Sequence, residues 1–143
     1  MQGSANATII NNRITGNTTA NQSNGHGIGA GGASHATIRD NTISGNDRRG
    51  LSLFGGAQIT ISNNTISNNL ENGILIGGSD VANESVQVDI SSNTIQSNKS
   101  CGVNVDSDSG IKITGKSNTI SGNTKGQLCG TTNKFPAGFG GGK

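Results

Sequence analysis

Tryptophan and tyrosine are absent, and phenylalanine occurs three times in 143 residues. A central core built on aromatic rings is therefore excluded. Charge is scarce as well. Asp, Glu, Lys and Arg make up 13% of the chain, about half the usual share of roughly 25%. The net charge is +2, too mild to point to nucleic acid, and no rings are on hand to stack on bases. Long apolar runs are missing too. Stretches such as Gly73-Ile74-Leu75-Ile76-Gly77 fall far short of the ~20 residues a membrane-spanning helix needs, so no membrane insertion is expected. Met1-Gln2-Gly3-Ser4 has neither the basic nor the apolar region of a signal peptide. Residues 1–6 read as a leader or cloning remnant.

What is present is 24 glycines and 20 asparagines. Low hydrophobicity would suggest disorder, but disorder usually comes with high net charge. A repeat fold that stacks small residues fits better. Five copies of one hexapeptide confirm a repeat: Asn12–Asn17, Asn41–Asn46, Asn64–Asn69, Asn93–Asn98 and Asn118–Asn123, in the form Asn-Thr-Ile-Ser-Gly-Asn with small variations. Their first residues are spaced by 29, 23, 29 and 25 positions. Periods of 20 to 50 residues mark solenoids or propellers.

Each copy has the same neighbours. An apolar-x-apolar triplet precedes it, as in Ile59-Thr60-Ile61, and a Gly plus a second triplet follows, as in Gly73-Ile74-Leu75-Ile76. Alternation with period two means strand with one buried face. Three short strands per repeat predict an all-β fold, a right-handed parallel β-helix (solenoid) of about five turns over residues 7–130. Ile14, Ile43, Ile66, Ile95 and Ile120 should form one interior ladder, and Ile9, Ile38, Ile61, Ile90 and Ile113 a second. The longer periods place insertions between Asn17 and Gly27, between Ile76 and Val88, and at Thr114 to Ser117. The repeated Asn residues are expected at corners, where left-handed backbone and side-chain amide ladders are favourable. The tail 131–143 breaks the repeat. Phe135 or Phe139 is expected to cap the last turn, because solenoid ends expose apolar rungs and unpaired backbone. A longer parent chain or a homo-oligomer is the expected cover for the other end.

The pattern Ile-x-x-Asn-Thr-Ile-Ser-x-Asn followed by Gly-Ile-x-Ile resembles the repeats of the pectate-lyase-like superfamily. The resemblance implies the fold. Its relatives include polysaccharide lyases, epimerases, glycosidases, tailspikes and surface adhesins, so the activity stays open. Epimerase-like sites in that superfamily resemble a Tyr-containing Asp-Pro-His segment. This chain has no Tyr, and its one Pro is Pro136.

Candidate sites are few. Asp80, Glu84, Asp106 and Asp108 sit at corners of adjacent turns, and Asp106-Ser107-Asp108-Ser109-Gly110 resembles the start of a Ca²⁺ loop built from hard oxygen ligands. Calcium is the sole cofactor the sequence suggests. Arg48, Arg49, Lys99 and Lys125 could form a basic strip for an anionic polysaccharide, interrupted by Glu71. Thr42, Thr65, Thr94 and Thr119 form an outward ladder similar to the Thr arrays of ice-binding solenoids, with Ser or Gln96 in the neighbouring file. His26 and His35 flank a Gly-rich strand and carry little signal. Cys101 and Cys129 lie in adjacent turns and could pair, which would favour a secreted protein. The expected function is a non-catalytic extracellular, periplasmic or cell-surface module that binds polysaccharide or a cell-surface glycan. The alternatives are a fragment of a polysaccharide lyase, epimerase or hydrolase, and ice binding.

Overall fold

The computed structural model describes residues 1, 3–20, 24–78, 84–106 and 110–140. The first coil runs through β1 (Asn6–Ile10), β2 (Arg13–Thr15) and β3 (Ile28–Ala30). The second holds β4 (His35–Arg39), β5 (Thr42–Ser44) and β6 (Leu51–Leu53), and the third β7 (Gln58–Ser62), β8 (Thr65–Ser67) and β9 (Ile74–Ile76). The fourth holds β10 (Val86–Ser91), β11 (Thr94–Gln96) and β12 (Cys101–Val105), and the fifth β13 (Ile111–Thr114), β14 (Thr119–Ser121) and β15 (Gly126–Gly130). Each strand pairs with its counterpart one coil further on. The result is three five-stranded parallel sheets: A (β1-β4-β7-β10-β13), B (β2-β5-β8-β11-β14) and C (β3-β6-β9-β12-β15). This is the five-turn parallel solenoid that the repeat predicts.

Like stacks on like inside. Ile14, Ile43, Ile66, Ile95 and Ile120 are level with one another in sheet B. Ile28, Leu51, Ile74, Val103 and Leu128 do the same in sheet C. Each rung is one side chain deep from each wall, so medium aliphatics fill it and rings are not needed. Each buried Ile or Leu contributes about 1.5–3 kcal/mol.

Sheet A departs from the expected ladder at its last rung. Ile9, Ile38, Ile61 and Ile90 are stacked, but Ile113 lies level with Val88 and Ile111 with Val86. Strand β13 has slipped by two residues, and Gly115 meets the Ile90 backbone instead. The extra length of the fourth coil therefore lies in the corner between Val105 and Ile111, not at Thr114 to Ser117. A slip of two keeps every apolar residue inward, so the hydrophobic pattern alone cannot choose between the registers.

Two asparagine ladders tie the coils together on either side of sheet B. In the first, the backbone N–H of Asn12, Asn41, Asn64 and Asn93 donates to the Oδ1 of the next Asn at 2.9–3.0 Å, ending at Asn118. In the second, Asn17, Asn46, Asn69 and Asn98 do the same at 3.0–3.2 Å, ending at Asn123. Each Nδ2 also donates to that same oxygen. Beyond the first rung it reaches back to a carbonyl of the preceding coil as well, as Asn64 does to Ile38 at 2.9 Å. Left-handed backbone falls beside the ladder residues, not on them. One file is Asn11, Asp40, Asn63, Ser92 and Ser117, with φ between 55° and 60°.

The glycines that precede β3, β6 and β9, and Gly102 at the same level inside β12, serve space, not turn geometry. A Cβ at Gly50 would sit 2.6 Å from the Gly73 carbonyl oxygen, 2.6 Å from Ile66 Cγ2 and 3.0 Å from Asn69 Nδ2. Gly27, Gly73 and Gly102 meet the equivalent atoms of their own neighbours. We expect Gly50→Ala to lower the urea midpoint markedly. Gly45→Asn, at a left-handed corner (φ 63°) with nothing within 4 Å, should leave it nearly unchanged.

The ends differ. At the first coil Gly31 N–H donates to Met1 O and His35 N–H to Ala5 O, both at 2.9 Å. At the other end a 3-10 turn (Thr132–Lys134) leads Phe139 into the core, where it is 2% exposed. Phe135 lies against it, with ring centroids 4.9 Å apart. One position in an otherwise apolar interior file is polar. Ser34 is fully buried and its Oγ has no hydrogen-bond partner. Its successors in the next coils are Ala57, Val86 and Ile111, all buried and apolar. Ser34→Ala should therefore raise the thermal midpoint, since it removes an unsatisfied buried hydroxyl that costs about 1–3 kcal/mol.

Candidate functional site

The most developed surface is the outer face of sheet A, an open groove of about 620 Å³ that crosses all five coils. Two files of outward side chains line it. One is Asn6, His35, Gln58, Gln87 and Lys112; the other is Thr8, Thr37, Thr60, Asp89 and Thr114. Parallel pairing holds successive members about 4.8 Å apart. Asp89 accepts hydrogen bonds from Ser91 Oγ and Thr114 Oγ1, both at 2.8 Å. It is the only carboxylate among the groove's described lining residues. Sequence reasoning missed this face. The available signal was the Thr at the centre of the first three sheet A triplets, Thr8, Thr37 and Thr60.

The basic residues do not form one strip. Glu71 stands level with Arg48, and its carboxylate engages both arginines: Arg48 Nε at 2.8 Å and Arg49 Nε at 3.0 Å. The Arg48 contact is a hydrogen bond. The Arg49 N–H is not aimed at the oxygen, which makes that contact a close ion pair only. Half-buried pairs of this kind are worth about 0–1 kcal/mol each. Lys99 follows Leu70 in a neighbouring file, and Lys125 follows Ser100 in the file of Arg48 and Glu71. His26 is level with Arg49. Its Nδ1 is buried without a partner. Burial holds its pKa below the ordinary imidazole value, Arg49 and Arg48 push it further down, and Glu71 opposes them.

Thr42, Thr65, Thr94 and Thr119 do align as one file on sheet B. Arg13 begins that file, and the parallel file reads Thr15, Ser44, Ser67, Gln96 and Ser121. The threonine array is thus one file wide, and the hydroxyl file beside it is mostly serine and is broken at Gln96. In the acidic cluster, Asp80 and Asp108 lie outside the described residues. Glu84 and Asp106 both belong to the corner between sheets C and A, and Asp106 accepts from Asn104 Nδ2 at 2.9 Å. No group of three potential metal ligands occurs among the described residues. Cys101 and Cys129 are bonded to each other, with Cα atoms 6.1 Å apart, and join β12 to β15. Phe54 is the one half-exposed ring, at 41% exposure. It lies against Gly31, where a side chain would collide with it.

A family model described as the right handed beta helix region matches residues 1–135. The chain belongs to that family. No curated protein and no solved structure gives a significant match.

The His26 environment yields a pH prediction. Its folded-state pKa is lowered, so the unfolded chain takes up the proton more readily. Stability should be flat above the ordinary value of about 6.5 and fall as pH drops below it. In thermal melts between pH 8 and pH 5, His26→Gln should show a shallower decline than the wild type.

Proposed function

We propose that this chain is a non-catalytic β-helix module that works outside the cytoplasm and binds an extended polysaccharide along sheet A. The observation that carries the reading is the groove across the five coils. Its two files alternate amide, hydroxyl and a few charged groups at a fixed spacing of about 4.8 Å, close to the length of one pyranose unit in an extended glycan. Gln58, Gln87, Thr37 and Thr60 are suited to hydrogen-bonding sugar hydroxyls, while Lys112 adds a positive charge at one end. Binding would rest on many small polar contacts, not on ring stacking, in keeping with the composition.

One feature supports a binding role over catalysis, and another a place outside the cytoplasm. Glycoside hydrolysis by the common route needs a pair of carboxylates about 5–9.5 Å apart. Asp89 is the single carboxylate among the groove's described lining residues, and two hydroxyls already hydrogen-bond it. The Cys101–Cys129 bond supports an oxidising compartment, where such bonds persist.

Affinity electrophoresis against immobilised acidic and neutral polysaccharides tests the reading. Retardation by at least one is expected. The double variant Gln58→Ala, Gln87→Ala should weaken it about tenfold, a loss of roughly 1.4 kcal/mol. Thr65→Val on sheet B should leave it unchanged. Release of shortened or unsaturated products from any of these polysaccharides would replace this reading with the enzymatic one. Absence of retardation by the whole set would remove glycan binding.

A further inference from the structure

The asparagine ladders have a direction, and the two ends of the rod are consequently complementary. In the first four coils the ladder Asn N–H and Nδ2–H groups donate forward, to the Oδ1 of the following coil. The first coil therefore presents Asn12 Oδ1 and Asn17 Oδ1, which no donor reaches among the described residues. The last coil ends in donors, at Asn118 and Asn123.

Those terminal donors are satisfied by imitation. Asn118 N–H and Nδ2–H both donate to the main-chain carbonyl of Phe139, at 3.2 and 2.7 Å. Asn123 N–H and Nδ2–H both donate to Gln127 Oε1, at 3.4 and 2.8 Å. In each case one carbonyl oxygen accepts the two donors that an Asn Oδ1 accepts in the interior coils. Gln127 can do this because it occupies the glycine file of Gly27, Gly50, Gly73 and Gly102. In those coils a Cβ would strike the next coil's Ile and Asn; in the fifth coil no further coil stands in the way. Gly140 runs alongside Asn118 as a parallel bridge, and the Phe139 ring closes the interior. Residues 126–140 thus copy the hydrogen bonds of a sixth coil.

We propose that this segment is a chain terminator for head-to-tail stacking, and that the surface beneath it takes the first coil of a second copy of this chain. Asn12 and Asn17 of the incoming copy would supply the two carbonyl oxygens now provided by Phe139 and Gln127. Ile14 would follow Ile120 in the interior ladder. Such a contact is heterologous, so with the cap displaced it has no built-in closure and grows as an open filament.

The test uses the full chain with the cap displaced in two ways. Phe139→Asp puts a charge where the ring is buried. Gly140→Val leaves the core composition unchanged but drives a side chain into the Asn118 backbone, in a left-handed conformation (φ 118°). Each is examined by light scattering after gel filtration, with circular dichroism to confirm the strand content. The wild type should run as a single species of constant mass across the same concentrations. Both variants should form species of two or more chains whose mass rises with concentration. Adding Ile14→Lys, which blocks the first coil, should return them to monomers. Mixing that doubly altered chain with wild type should give a 1:1 pair and nothing larger. A cap variant that keeps the wild-type strand spectrum and stays monomeric overturns the proposal. Growth that persists with Ile14→Lys also overturns it, because the association is then non-specific.

Discussion

The rest of the structure depends on one side-chain amide doing several jobs. A buried Asn in each ladder offers its oxygen to two donors of the coil before it. Asn64 in turn sends its Nδ2–H back to Ile38 O, across to Ser62 O and forward to Asn93. Corners turn the backbone away from its sheet partners, and buried backbone groups left unpaired there would be costly. The amides supply the missing partners. They allow a chain with few long side chains to bend sharply twice per coil beside sheet B while keeping its corners dry. Glutamine in place of Asn would be a methylene too long for the interior coils, and Asp would lack the donor. At the one place where no further coil constrains the length, Gln127 does the same work.

Much of this was legible because the sequence states it five times. The three strands per coil and the sheet B ladder from Ile14 to Ile120 follow from spacing and alternation; the sequence placed Cys101 and Cys129 in adjacent turns but left their pairing open. The slip of β13 was not legible. Both registers bury the same faces, and the choice rests on the ladder from Asn93 to Asn118 and on Gly115 fitting against Ile90. The pairing of Glu71 with Arg48 and Arg49 was hidden as well. The residue count along the chain does not show that corners of unequal length bring His26, Arg49 and Asn72 level. The sheet A groove was the least visible, because outward positions need only be compatible with a strand. Asn6, His35, Gln58, Gln87 and Lys112 share no residue type that a repeat search would find.

The functional proposal and the terminator proposal draw on different surfaces. Glycan contact belongs to the flank of the rod, and stacking belongs to its ends. The flank offers regularly placed, weakly charged groups on a rigid parallel sheet, a surface suited to many modest contacts with a long ligand. The ends are defined by hydrogen-bond polarity. Quasi-one-dimensional architectures keep such roles apart, since each coil touches only its neighbours.

The slip of β13 carries one more implication. A strand in sheet A can shift by an even number of residues and leave its buried set apolar, whereas an odd shift would turn the buried set outward. Were the two extra residues of this coil carried at Thr114 to Ser117, after the strand, Lys112 would stand level with Asp89 instead of Gln87. The outer face would then carry a cation in the threonine file and a hydroxyl where Lys116 now follows Ser91. The interior would still be lined by aliphatic residues. The division of residues between the corners before and after a strand thus works as a gearing between its two faces, and moving two residues from one corner to the other would re-assort the groove's chemistry while the core stays almost blind to the change.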